Sequence, residues 1–302
     1  MGSTTFIGAV VQASPILFDK QKTIEKIGDL TRDAARQKAN LILFPEVFIP
    51  GYPRGLSFGT IVGSRSAEGR DLFLRYWENA IEVPSPETER LGKFAKDSNS
   101  YLVIGVTEKD KTSDTLYCSL VYFAPSGELL GKHRKLKPTA AERILWGEGD
   151  GSDLNVYDTA FGKIGGLICW ENYMPLARMA LYQKGIEIYL APTADARDTW
   201  QATLTHIACE SRCYVLGCNQ FVTQDHYPDF LKAEVKDQPM VMSRGGSVIL
   251  SPLGKTLAGP LFDKEGILSA EMDHREIVKA KMDFDVIGHY ARPDVFDFKL
   301  SK

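Results

Sequence analysis

The chain has 302 residues, of which 44% are hydrophobic and 25% are charged. This mixture is typical of a globular protein and excludes a disordered or membrane-embedded chain. The formal net charge of -3 excludes the overall positive field that gathers nucleic acid or anionic lipid, so small uncharged ligands are the favoured partners.

The first residues and the cysteines indicate a cytoplasmic protein. Residues 1–5 lack the basic region and long apolar run of a secretion signal, and they fit the N-myristoylation pattern poorly. The five cysteines form an odd set without a CxxC pair, so we expect reduced thiols rather than disulfides. No repeat or composition break divides the chain. We therefore predict one domain over residues 1–302, with a core at about 5–273 and an extension over 274–302.

Short apolar runs alternate with segments of helical period, which is typical of a layered α/β protein. Strands are predicted at residues 6–11, 41–44, 101–107, 117–124, 163–169, 186–191, 214–222 and 246–250. Helices are predicted at residues 20–38, 88–96, 175–184 and 199–212. Residues 51–68 and 223–238 are predicted surface loops, which either shape a binding pocket or are solvated insertions without a role.

A carboxylate follows the second predicted strand, where Pro45 and Glu46 come directly after the apolar run 41–44. In this position a glutamate is either a turn residue or a general base held in an apolar pocket. Turn preferences alone favour the first interpretation.

A basic run follows a hairpin-like segment at residues 122–130. Five basic side chains occupy residues 131–137, and Glu142 comes shortly afterwards. Such a run is usually a solvated or nucleic-acid-binding patch, but no aromatic residues are interleaved for stacking on bases. One buried lysine within the run is the alternative.

A cysteine, Cys169, ends the predicted strand 163–169 and precedes the helix that begins near Pro175. Nucleophiles are commonly displayed at such a strand-turn-helix position, although most buried cysteines only pack, and position alone favours packing. His206, Cys209 and Cys213 have helical spacing that matches no metal site. We predict that they pack in the core, and we predict no metal.

Together these three segments resemble the nitrilase superfamily, whose members carry a glutamate, a lysine and a cysteine at three such strand ends. The matching segments are residues 44–46, 134–136 and 166–171, in the family's order and approximate spacing. A further glutamate of the family corresponds to Glu142. The likeness runs from about residue 6 to residue 272, and it implies catalytic roles for Glu46, Lys135, Cys169 and Glu142.

Within the superfamily the chain looks like the nitrilase branch. Residues 169–175 are similar to nitrilases rather than to amidases or carbamoylases, and residues 48–53 and 145–149 are similar to nitrilase segments at the site entrance. Aromatic residues in or near these segments either line the substrate pocket or pack the core. The predicted substrate-binding residues are Tyr52, Trp146, Trp170 and Tyr173, with the pocket favoured most for Tyr52 and Trp146.

The resemblance implies hydrolysis of a small organic nitrile to the carboxylic acid and ammonia, through a thioimidate and a thioester on Cys169. Glu46 is implied as the base that takes the thiol proton, and Lys135 as the cation that stabilises charge developing on the substrate. Glu142 would position Lys135 or the attacking water. This chemistry requires no cofactor.

Alternatives within the superfamily are an amidase, a hydratase-type reaction that releases the amide, and a cyanide-degrading enzyme. A non-enzymatic binding scaffold is the alternative of a different class, but it would have no chemical reason to keep all four residues. The implied fold is an α/β four-layer α-β-β-α sandwich that typically dimerises, so we expect a homodimer or higher homo-oligomer. The chain ends soon after Asp294, so we do not expect the C-terminal tail that helps long filaments.

Overall fold

A computed structural model describes residues 5–300. Residues 1–4 and 301–302 lie outside this range. The prediction of an N-terminus without a targeting signal rests mostly on residues 1–4. Within residues 5–300, no helix is both long enough and apolar enough to cross a membrane.

Sixteen strands and seven α-helices are formed by the described residues. The strands are β1 Thr5–Gln12, β2 Leu41–Leu43, β3 Thr60–Ile61, β4 Ser64–Arg65, β5 Ile81–Glu82, β6 Tyr101–Lys109, β7 Leu116–Phe123, β8 Leu129–Arg134, β9 Tyr157–Thr159, β10 Gly162–Gly166, β11 Ile188–Thr193, β12 Tyr214–Asn219, β13 Phe221–Thr223, β14 Val241–Leu250, β15 Thr256–Phe262 and β16 Gly266–Asp273. The helices are α1 Lys20–Arg36, α2 Ala67–Glu78, α3 Pro86–Ser98, α4 Pro175–Gln183, α5 Asp198–Ser211, α6 Asp229–Val235 and α7 His274–Ala280.

Local sequence explains where the helices on the first sheet begin. The side chain of Asp19 accepts a hydrogen bond from the backbone N–H of Lys22 and so caps α1. Helix α3 begins with Pro86 and is preceded by Ser85, which forms a capping box with Thr88. Both helices present an apolar stripe to the sheet beneath them.

Two mixed seven-stranded sheets form the centre of the molecule. The first sheet has the order β16-β1-β2-β6-β7-β8, with β5 added beside β6. The second sheet has the order β13-β14-β12-β11-β10-β9, with β15 added beside β14. In the first sheet β1, β2 and β6 run parallel, and in the second β10, β11 and β12 do. The carboxyl ends of these central strands therefore lie at one edge of each sheet.

Three apolar clusters separate four layers. One cluster lies between the sheets and contains Val10 of the first sheet and Leu216 of the second. Another joins the first sheet to α1 and α3, and the third joins the second sheet to α4 and α5. The sheets approach so closely that a Cβ on Gly8 would lie 3.3 Å from Leu216 Cδ2. The predicted α-β-β-α sandwich is confirmed.

All the predicted strands and helices form, with shifted ends. The predicted strand at 214–222 is divided into β12 and β13, and the one at 163–169 ends at Gly166, so Cys169 lies in a 3₁₀ turn beyond the strand. Residues 51–68 are mostly irregular, as predicted, apart from the short hairpin of β3 and β4.

The prediction of an irregular loop over residues 223–238 is wrong in part, because this segment contains α6. The helix has only seven residues, and it buries Leu231 and Val235, one turn apart, against the cluster between the sheets. Charged residues between these two positions hid the apolar stripe. Helices α2 and α7 and strands β15 and β16 were also not predicted from the sequence.

Candidate active site

The ends of three strands bring Glu46, Lys135 and Cys169 together beside the cluster between the sheets. Glu46 follows β2 and Lys135 follows β8, both in the first sheet, while Cys169 follows β10 in the second. Glu46 and Lys135 are wholly inaccessible to solvent and Cys169 is 4% exposed. The basic run of the sequence therefore contributes one buried lysine to the site.

Lys135 is held between two carboxylates. Its ammonium donates to Glu46 Oε1 at 2.6 Å and to Glu142 Oε2 at 2.8 Å. Glu142 is itself fixed, because its carboxylate also accepts from the Tyr52 hydroxyl at 2.7 Å and from the backbone N–H of Thr139 at 2.7 Å. The two carboxylates hold the ammonium directly, and the Tyr52 hydroxyl and the Thr139 N–H hold Glu142 in turn. The position of the ammonium is therefore fixed.

Glu46 lies in a turn, but its side chain points into the protein. Its Oε1 accepts from Lys135 and lies 3.6 Å from the Cys118 sulfur. Its Oε2 is buried and has no hydrogen-bond partner within residues 5–300. A contact with the Cys169 thiol lowers the pKa of this carboxyl, so the thiol lies beside it. An unsatisfied buried oxygen is costly, and a catalytic role is one physical reason for keeping it.

The backbone at Cys169 adopts a conformation that side-chain-bearing residues rarely have, with φ of +52°. The side chain of Asn172 donates to the carbonyl oxygens of Leu167 and Cys169, which holds the turn together. The hydroxyl of Thr193 donates to Cys169 Sγ at 3.1 Å. These contacts fix the direction in which the sulfur points.

Burial controls where the protons reside. It raises the pKa of Glu46, and it raises the pKa of Cys169 to about 12, with a further contribution from the charge of Glu46. Burial lowers the pKa of Lys135, but the negative charge of Glu46 and its other neighbours outweighs this, and the pKa lies well above its ordinary value. At neutral pH the site therefore holds a protonated thiol and an ammonium, and the thiol proton has to move as the sulfur reacts.

A second buried cluster, which the sequence did not reveal, connects the lysine and cysteine segments. The Glu171 carboxylate accepts from the backbone N–H of Leu136 at 2.6 Å and of Ile168 at 2.7 Å, each one residue from a predicted catalytic side chain. His133 lies 3.1 Å from both Glu171 oxygens and 3.0 Å from Asp153. Glu171 thus fixes the separation of Lys135 and Cys169. Its position two residues after the cysteine was the only signal in the sequence.

A cavity of about 600 Å³ opens onto the sulfur. The residues that line it are Tyr52, Arg54, Thr139, Glu142, Cys169, Trp170, Ala194, Asp195, Ala196, Arg197, Val241, Met242, Ser243, Arg244 and Asp263. Of the four aromatic residues predicted to bind substrate, Tyr52 and Trp170 lie in this wall. Trp146 lines an adjoining cavity of about 220 Å³ that also contains Tyr52 and Glu142.

Tyr173 is not among the residues that line the cavity. Its ring packs edge-on against Trp170 and Trp200, and its hydroxyl lies 3.2 Å from that of Thr203. Tyr173 therefore supports Trp170 from behind. Trp170 is 40% exposed, and its indole N–H donates to Asp195 at 2.9 Å.

The prediction that the three residues at helical spacing pack in the core is confirmed for Cys213, which is buried, but it is wrong for His206, which is exposed, and Cys209 is only partly buried. His206 lies 2.9 Å from Glu210, and the Cys213 thiol donates to the carbonyl oxygen of Ile186 at 3.1 Å. Among residues 5–300, no group of three or more histidine, cysteine, aspartate or glutamate side chains is arranged to hold a metal ion.

A thiol that lines a cavity, with a buried carboxyl and a fixed ammonium next to it, provides the parts that nucleophilic catalysis by cysteine needs. The sequence matches the carbon-nitrogen hydrolase family over residues 9–282. The chain belongs to this family, and the resemblance read from its motifs is confirmed.

Proteins of similar sequence include named nitrilases. A bifunctional nitrilase/nitrile hydratase of Nicotiana tabacum is 52% identical over 296 residues, which cover 96% of this chain and 84% of the relative. An aliphatic nitrilase of Sinorhizobium fredii is 52% identical, covering 97% of this chain and 94% of the relative. Among solved structures, a carbon-nitrogen hydrolase of Helicobacter pylori superposes with a TM-score of 0.76 at 22% identity, covering 97% of each chain. That likeness supports the fold.

Proposed function

We propose that this protein is a nitrilase, an enzyme that converts a nitrile and two waters into a carboxylic acid and ammonia. Relatives that are 52% identical over nearly the whole chain carry that name. The observation that carries the proposal is the unpartnered Oε2 of Glu46 beside a thiol that lines the cavity. A base with one free oxygen next to a protonated nucleophile suits attack on a weak electrophile.

In the first step the Cys169 sulfur adds to the nitrile carbon while its proton passes to Glu46. The nitrile nitrogen takes up a proton from the cluster, and the product is a thioimidate on the sulfur. Lys135 lies where negative charge develops, and the backbone N–H groups of the turn at Trp170 add further donors. One such donor typically contributes about 3 kcal/mol to transition-state stabilisation.

Two additions of water complete the reaction. Glu46 takes a proton from the first water as that water adds to the thioimidate carbon, which gives a tetrahedral intermediate. Protonation of its nitrogen lets ammonia leave, and a thioester remains. A second water, activated in the same way, releases the acid and returns the proton to the sulfur. Glu142 holds Lys135 in place throughout through its 2.8 Å contact.

The test is a product analysis on nitriles and the matching amides with the wild-type protein and Cys169→Ala. Ammonia and acid from nitriles, absent with the variant, are the expected result. Activity confined to amides would identify an amidase instead, and inactivity on every substrate would favour a binding scaffold.

Release of amide is a second outcome that the relatives favour, since one of them is named a bifunctional nitrilase/nitrile hydratase. Both products derive from the same tetrahedral intermediate. Breaking its C–N bond leads to the acid, whereas breaking its C–S bond releases the amide. The acid-to-amide ratio in the same assay measures this partition.

We further propose a cytoplasmic homo-oligomer. All five cysteines are free thiols, which suits a reducing compartment. Large apolar side chains are exposed on α4 and near the C-terminus, including Leu176 at 69% and Phe296 at 73%. Such surface is commonly covered by another subunit. Light scattering on the purified protein measures the oligomeric state.

A further inference from the structure

The cavity wall carries six charged side chains, and all three carboxylates among them are already paired. Glu142 binds Lys135, while Asp195 accepts two hydrogen bonds from Arg197 Nε, at 2.9 and 3.1 Å. Asp263 lies 3.3 Å from Arg244. Two of the three arginines that line the cavity are therefore neutralised by the wall itself.

Arg54, the third arginine, is different. Within residues 5–300, no carboxylate lies within 4.0 Å of its guanidinium. Its side chain donates to one acceptor, the carbonyl oxygen of Ala194, and it lies over the Tyr52 ring at 5.5 Å from the ring centre. A guanidinium has five N–H donors, so most of its capacity is unused. This cation is partly buried, and no carboxylate of residues 5–300 contacts it directly.

The contacts of Arg54 connect it to residues beside the groups that contact Cys169 and Lys135. Ala194, which accepts its hydrogen bond, directly follows Thr193, whose hydroxyl contacts the Cys169 sulfur. Tyr52, two residues before it, contacts Glu142. Arg54 and Cys169 line the same cavity, so a substrate whose nitrile carbon meets the sulfur can extend toward the guanidinium.

We propose that Arg54 forms an anion subsite and that the enzyme prefers nitriles with a carboxylate a few carbons from the cyano group. A guanidinium pairs with the two oxygens of one carboxylate, and a single unpaired cation suits one negative charge. The proposal rests on the nitrilase function proposed above. It replaces the expectation, drawn from net charge alone, that the ligand is uncharged.

The experiment compares two substrates of similar size, 4-cyanobutanoate and 4-cyanobutanamide, with the wild-type protein, Arg54→Gln and Arg32→Gln. Arg32 lies on the outer surface of α1 and pairs with Asp29, so it is a matched loss of one positive charge away from the cavity. We expect wild type and Arg32→Gln to have the higher kcat/KM for the carboxylate. In Arg54→Gln the carboxylate-to-amide ratio of kcat/KM falls at least about tenfold, mainly through KM.

A binding measurement separates this proposal from the proposed function. Calorimetry with 4-cyanobutanoate on Cys169→Ala, with and without Arg54→Gln, reports the subsite without turnover. Arg54-dependent binding of the carboxylate supports the subsite even where neither nitrile is hydrolysed, a result that would contradict only the nitrilase function. Hydrolysis of both nitriles with equal kcat/KM, or an equal loss for both in Arg54→Gln, would overturn the subsite and leave the nitrilase function standing.

Discussion

Two buried clusters in this protein share one plan, a cation between two carboxylates, but they differ in what they leave free. In the first, Lys135 lies between Glu46 and Glu142, and Glu46 Oε2 has no partner within the described residues. In the second, His133 lies between Glu171 and Asp153, and all four carboxylate oxygens accept hydrogen bonds.

We expect this difference to separate a reactive cluster from a supporting one. A fully satisfied buried cluster stabilises one arrangement of the chain and has no lone pair to offer. A cluster with one free oxygen can accept a proton, at a cost in stability. The satisfied cluster joins the segments that carry Lys135 and Cys169, so it supplies the rigidity on which the reactive cluster depends.

Replacing one glutamate by glutamine in each cluster tests this contrast, and we expect Glu46→Gln to have the largest effect on activity. Glu46→Gln keeps the shape but removes the proton acceptor, so kcat/KM falls by roughly 10² to 10⁴. Its melting temperature stays the same or rises, because Lys135 then pairs with Glu142 alone and the cluster is neutral. Nitrile turnover and thermal unfolding measure the two effects.

Glu171→Gln is the matched control. An amide presents one NH2 group to a site where backbone N–H groups and His133 all donate, so a buried donor loses its acceptor. Breaking a buried ion pair in this way typically costs about 3 to 5 kcal/mol of stability. If Glu171→Gln instead kept full stability and lost as much activity as Glu46→Gln, the assignment of a supporting role to Glu171 would be wrong.

The second prediction concerns pH. Burial lowers the pKa of His133, but the charges of Glu171 and Asp153 outweigh burial and raise it from 6.5 to about 10. Because the folded-state pKa is the higher one, protonation of His133 stabilises the fold fully below about pH 6.5, and this contribution is lost as the pH rises through about 10. We expect the free energy of unfolding to fall by a few kcal/mol between pH 7 and about 10.

His133→Gln isolates that contribution. The variant is less stable at pH 7, and its free energy of unfolding changes less over the same pH interval. Urea unfolding at several pH values measures both curves. Parallel curves for the variant and the wild type would show that other groups cause the pH dependence.

The grouping of Glu46, Lys135 and Cys169 was predictable from the sequence, whereas the cluster of Glu171, His133 and Asp153 was not. Glu46, Lys135 and Cys169 each follow an apolar run, so strand ends and family motifs indicated them together. Glu171 binds the backbone N–H of Leu136, 35 residues away, and such a contact leaves no pattern in the sequence. The pairing of β1 with β16 is equally hidden, because it joins segments some 260 residues apart, Thr5 with Asp273.

Arg54 and Tyr173 show the same limit within the cavity wall. Tyr173 was predicted to bind substrate because it lies near the cysteine, but its ring packs behind Trp170. Arg54 was not predicted, because an arginine in a loop is ordinarily solvated. What sets Arg54 apart is the pairing of every neighbouring carboxylate with another group, which only the three-dimensional arrangement reveals.

The smallest effect is expected from Tyr52→Phe, which tests whether the reactive cluster tolerates the loss of a hydrogen bond. The Tyr52 hydroxyl donates to Glu142 at 2.7 Å, and Glu142 holds Lys135. A hydrogen bond to a charged group typically contributes about 1.5 to 3 kcal/mol, and Glu142 keeps two other donors, so we expect kcat/KM to fall by about tenfold.

Tyr76→Phe is the control, since that buried hydroxyl contacts Thr107 at 2.9 Å and not Glu142. Steady-state kinetics and melting temperatures of both variants decide the matter. Equal losses of activity in the two would mean that Tyr52 acts through general packing, whereas a loss confined to Tyr52→Phe would extend the reactive cluster by one residue, to the wall of the cavity.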